Sequence, residues 1–170
     1  MLKSHELFGF MSPALADEII DFAYASDKPT YKAVLAGVAQ ARHLRPVFLE
    51  RQPRSHRRAT MLSTLTRPAL DLMAGNLLRA WLLKKHLNML KDFLDALGIA
   101  HKDGVVDDLP ATIEDAKLKS AVGTLLAKYP AEPVAVYLHA FNDMNEANWA
   151  NLKAILDGDA RLQLGATAAG

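Results

Sequence analysis

Between Ala69 and Leu97 the chain places so many leucines at three- and four-residue spacing that few architectures other than a helical one can accept it. Leu70, Met73, Leu77, Trp81, Leu87, Leu90, Leu94 and Leu97 keep one helix face. Leu72, Leu78, Leu82, Leu83 and Phe93 widen that face beyond a single stripe. The pattern predicts one helix over 69–97, about 43 Å long if straight, wrapped by other helices or shared across a dimer. Gly75 is a place for a bend, and Gly98 is the expected left-handed terminator. Arg79 and Lys84-Lys85-His86 interrupt the apolar run well short of the roughly 18 consecutive apolar residues that a membrane span requires.

Punctuation on either side predicts further helices. Ser12-Pro13 has the form of an N-cap followed by proline in the first turn, and Leu15, Ile19 and Phe22 mark a face behind it. Asp27-Lys28-Pro29 opens a second helix carrying Tyr31, Val34, Leu35 and Val38. Pro46 and Pro53 delimit a short helical piece at 47–51 and another helix reaching Leu65. The loop Ala100 to Leu109 has room for a short extended piece. Beyond Pro110, Thr112 and Asp115 stand at capping-box-like spacing before Leu118, Val122, Leu125 and Tyr129. Two closing helices carry Tyr137, Leu138 and Phe141, then Trp149, Leu152, Ile155 and Leu156. The expectation is one all-α domain over 1–170, a bundle of about six or seven helices. Its parts are an N-terminal helical region at 12–66, the central helix at 69–97, a C-terminal helical region at 110–158 and a flexible tail at 165–170.

Cysteine is absent, which excludes disulfides, thiolate catalysis and cysteine-ligated metals. The first ten residues hold one lysine and no uninterrupted apolar segment, unlike a secretory signal, so a cytoplasmic location is expected.

The formal net charge of +1 hides a segregation. Residues 28–91 hold thirteen Lys or Arg against two acids, whereas residues 92–159 hold twelve acids against five lysines and residues 1–27 hold five acids against one. The basic middle is sharpest at Arg51, Arg54, Arg57 and Arg58, near the start of a predicted helix, where the helix dipole favours anions over cations. Three explanations follow. The arginines pair with the acidic flanks, within the molecule or across an oligomer; they bind nucleic-acid phosphates; or they bind a small phosphate- or carboxylate-bearing ligand. Aromatic residues are not interleaved with them in sequence, and a helix-turn-helix built around Gly37 would bury Lys32 and His43, which argues against nucleic acid.

Other candidate chemistry is thin. His139 and Asp143, four apart on one helix, could contribute two metal ligands, but two ligands do not make a site. His101, Asp103, Asp107 and Asp108 are rich in oxygen donors without the alternation or terminal glutamate of a calcium loop. Ser55 and His56 are adjacent and so point about 100° apart on a helix. Glycine-rich phosphate loops are missing. Trp81, His86, Met73, Met89 and Trp149 suit plain core better than a cofactor pocket, and no cofactor is expected. The expected function is a non-catalytic helical interaction or scaffold protein that self-associates or meets a protein partner. The alternative is anion or nucleic-acid binding through the arginine cluster. A third option is an enzyme whose site is assembled from residues distant in sequence.

Overall fold

The computed structural model describes residues 1–165 and is all-helical, with ten α-helices, two short 3-10 turns and no strand among those residues. Residues 166–170 of the expected tail lie outside the described residues. The chain divides into two compact units, one of Leu2–Trp81 and one that begins at Leu82 and also takes in Met1.

The first unit contains α1 (Ser4–Phe10), α2 (Pro13–Ser26), α3 (Lys28–Ala41), α4 (Pro46–Glu50), α5 (Arg54–Leu65), a 3-10 turn (Pro68–Leu70) and most of α6 (Asp71–Lys85). The expected starts are realised. Ser12 Oγ accepts from Leu15 N–H at 3.2 Å with Pro13 in the first turn, and Asp27 Oδ1 accepts from Thr30 N–H at 3.3 Å. Helix α1 lies outside the helical region expected at 12–66; Glu6 caps it by accepting from Lys3 N–H at 2.7 Å. Helix α3 packs against α2, α4 and α5, and Ile19, Val34, Leu35, Leu49, Met61 and Leu65 are fully buried. Gly37 allows close approach to α6, because a Cβ there would stand 3.2 Å from Met73 Cγ.

The single helix expected over 69–97 is not formed. A 3-10 turn opens the segment, α6 runs to Lys85, and α7 begins at Leu87 after His86 leaves helical geometry at φ −112°, ψ 27°. Helix geometry gives the reason. The buried positions of α6 are 74, 77, 78, 80, 81 and 82, and those of α7 are 89, 90, 93, 94 and 97. On one straight helix the second set would be turned from the first by roughly a third of a turn. A straight helix would keep the two faces on different sides, and the break at His86 falls between them. The break falls at His86 and not at Gly75, which lies inside α6. The apolar belt is also narrower than expected, since Leu72 is 70% exposed.

The second unit contains the rest of α6, then α7 (Leu87–Leu97), α8 (Asp115–Lys128), α9 (Ala131–Asn145), α10 (Ala150–Gly158) and a 3-10 turn (Ala160–Leu162). Gly98 ends α7 as expected, at φ +67° with Ile99 N–H on the Leu94 carbonyl at 3.0 Å. The most enclosed helix is α9, buried at every position from 134 to 141. Phe93 meets Tyr137 and Phe141 edge-on at ring-centre distances of 5.5 and 5.4 Å, and Trp149 stands 5.4 Å from Phe141. Helix α8 starts at Asp115, later than Pro110 and Thr112 led one to expect. Its lead-in is held by side chains of the α10 start: Trp149 Nε1 donates to the Pro110 carbonyl at 3.0 Å, and Asn151 donates to the Ile113 carbonyl at 2.7 Å. Carbonyls used in this way satisfy the backbone outside a helix.

Candidate functional site

The arginine cluster is folded onto α2. Asp17, Asp21 and Tyr24 stand at four- and three-residue spacing on that helix, and Arg54, Arg57 and Arg58 stand at three- and one-residue spacing on α5. Arg58 donates from Nη1 to Asp21 Oδ2 at 2.9 Å and pairs through Nε with Asp17 Oδ1 at 3.2 Å. Arg54 pairs with the other Asp21 oxygen at 3.2 Å. Arg57 donates to the Glu50 carbonyl at 2.8 Å. The guanidinium carbons of Arg54 and Arg57 lie 5.0 and 5.6 Å from the centre of the Tyr24 ring, and Lys28 Nζ lies 5.3 Å from it. The cations that would oppose the α5 dipole are therefore balanced by two carboxylates and an aromatic face.

Little room remains for a ligand there. The cavity bounded by Asp21, Tyr24, Tyr31, Arg54, Arg57 and Arg58 holds about 10 Å³, space for at most about one water molecule. Tyr31 meets Tyr24 edge-on at 5.1 Å, and burial raises its phenol above the ordinary value although Arg57 works the other way. Sequence order could not reveal this arrangement, because the aromatic partners of the arginines come from other helices. The matching periodicities of 17, 21, 24 and 54, 57, 58 are the one trace of it in the sequence.

Arg51 is placed differently. It ends α4, and its side chain is exposed, as is that of Arg45 at the other end of the same helix. Neither makes a side-chain hydrogen bond or ion pair among the described residues. Between them Leu49 is buried, whereas Val47 and Phe48 are 48% and 56% exposed. Helical spacing puts Phe48 three residues from both arginines. Pro46 opens α4 in its first turn, and the outward apolar pair is a feature that the sequence pattern alone did not single out.

The remaining candidates are weaker. His139 is buried on α9, and loss of water holds its imidazole down to about 4, so it is neutral at pH 7. Asp143 is exposed on the same helix. Among the described residues no group of three or more His, Cys, Asp or Glu side chains is placed to hold a metal ion. Ser55 and His56 are both exposed. Trp81 donates to Glu18 at 3.2 Å in the first unit, and Trp149 is committed to Pro110 in the second. A groove of about 620 Å³ lies beside α8 and α10. Its charged lining is largely spoken for, with Arg161 gripping Asp159 through two bonds of 3.0 and 2.7 Å and Asp115 accepting from Asn151 at 2.8 Å.

The acidic segment after α7 is more ordered than its composition implied. Lys102 and Val105 exchange both backbone hydrogen bonds at 2.9 and 3.0 Å around Asp103 and Gly104, which adopt φ of 50° and 80°. His101 accepts from Gly104 N–H at 3.1 Å and pairs with Asp95 at 2.7 Å, while Asp103 pairs with Lys91 at 3.3 Å. Among the described residues no helix is long and apolar enough to cross a membrane. No protein-family model, curated protein or solved structure matches the chain.

Proposed function

We propose that this chain is a non-catalytic helical interaction protein of the cytosol that self-associates through the outer face of α4. One observation carries the reading: Val47 and Phe48 stand about half exposed between two exposed arginines, while the neighbouring Arg54, Arg57 and Arg58 are already engaged. An apolar pair rimmed by cations has the composition of a small protein-binding anchor, in which buried aromatic area supplies affinity and the charged rim supplies orientation. Binding of anions or nucleic acid by Arg51, Arg54, Arg57 and Arg58 has less support, since it would require three of the four to leave their partners.

Light scattering on the full chain over a wide concentration range tests the proposal. A mass that rises with concentration in the native protein, and stays at the monomer value after Val47→Ser with Phe48→Ser, supports it. A native protein that stays monomeric at the highest concentration, or a doubly substituted one that associates as before, overturns it.

A further inference from the structure

We infer that the surface received by α4 is the hairpin around Val105, with the aspartates that follow it, on a second copy of this chain, an inference that rests on the self-association proposed above. The two surfaces are complementary in chemistry. On α4, Val47 and Phe48 lie between Arg45 and Arg51, with Glu50 the only acid from 43 to 58. On the hairpin, Val105 is 53% exposed, stands across the turn from exposed Lys102, and is followed by exposed Asp107 and Asp108. Each offers an exposed apolar contact, beside two arginines and one glutamate on α4 and beside one lysine and two aspartates at the hairpin, so that the net charges are of opposite sign.

The hairpin is also pre-organised, which lowers the ordering cost of binding. Its two-residue turn has positive φ at both central positions, the geometry favoured by Asp-Gly in tight hairpins. Gly104 packs so closely on α7 that a Cβ would lie 3.0 Å from Leu87 Cδ1 and 3.5 Å from Leu90 Cβ. Val105 is thus presented from a fixed base. Exposed apolar side chains on a rigid tip and on a helix opened by Pro46 lose little backbone freedom when they meet. Because the two surfaces differ, the contact is made either reciprocally in a two-fold dimer or head-to-tail in a ring or chain. Facing charges make it sensitive to salt, since screening acts over about 10 Å at 0.1 M ionic strength.

Sedimentation velocity with two charge-reversed forms of the full chain tests the assignment. One form carries Arg45→Glu and Arg51→Glu, the other Asp107→Lys and Asp108→Lys. Each alone should lose association by at least tenfold, and an equimolar mixture should regain it, because each form keeps the surface that the other lacks. The mixture also guards against misfolding, as unfolded variants would not rescue one another. If the aspartate form associates like the native protein while Phe48→Glu does not, the hairpin assignment is overturned and self-association through α4 stands. If the native protein is monomeric throughout, both fall. A mixture that stays monomeric also overturns the hairpin assignment.

Discussion

Arg58 reaches across from α5 to place one nitrogen 2.9 Å from Asp21 and another 3.2 Å from Asp17, so that one guanidinium ties together two turns of α2. Arg54 shares Asp21, and Arg57 covers Tyr24 beside it. These side chains are partly exposed, which limits each pair to a modest contribution, but the shared geometry couples them. Arg58→Ala should destabilise the protein by about 1 kcal/mol, whereas Arg51→Ala should change stability by less than about 0.5 kcal/mol. Urea denaturation of the two variants checks this. Equal effects would contradict the division between an engaged cluster and an exposed Arg51.

Two glycines make opposite predictions. Gly104 has φ of +80° and a Cβ there would press on Leu87, so Gly104→Ala should cost about 1 to 2 kcal/mol. Gly123 lies within α8 with nothing within 4 Å of a built Cβ, so Gly123→Ala should stabilise by about 0.5 to 1 kcal/mol through helix propensity. Thermal melts of both variants, with shifts of opposite sign, are the expected result.

His139 sets an acid-side limit on stability. Burial lowers its folded value to about 4, against about 6.5 in the unfolded chain. The unfolded state therefore binds a proton through a range in which the folded state does not, so stability is complete above about 6.5 and falls as pH drops toward 4. The loss attributable to this residue is at most about 3 kcal/mol. His139→Gln removes the titration while leaving a neutral polar side chain. The difference in unfolding free energy between variant and native protein should therefore shift in favour of the variant between pH 7 and pH 4.5. A pH-independent difference would contradict the buried neutral imidazole.

Much of the helical framework was legible because it depends on local chemistry. Ser12-Pro13, Asp27, the prolines at 46 and 53 and Gly98 act through their own backbone geometry, and the helix boundaries follow them. The misreadings came from tertiary demands. Leucine spacing from 69 to 97 is compatible with a continuous helix, but only knowledge of which positions are buried reveals that the apolar face turns at His86. The delayed start of α8 depends on Trp149 and Asn151, more than thirty residues away. At the candidate site, the arginines were visible as a cluster, but their engagement by Asp17, Asp21 and Tyr24 follows from the packing of α2 on α5. The outward placement of Val47 and Phe48 was hidden for the converse reason, since a short apolar run next to Leu49 reads as core.

In the proposed assembly, association runs through the apolar face of α4 and leaves the engaged arginines aside. It is tested most directly by sedimentation equilibrium on three forms of the full chain: native, Phe48→Glu and Arg57→Ala. The native protein and Arg57→Ala should associate, with Phe48→Glu monomeric at every concentration. Association that survives in Phe48→Glu and disappears in Arg57→Ala would contradict it.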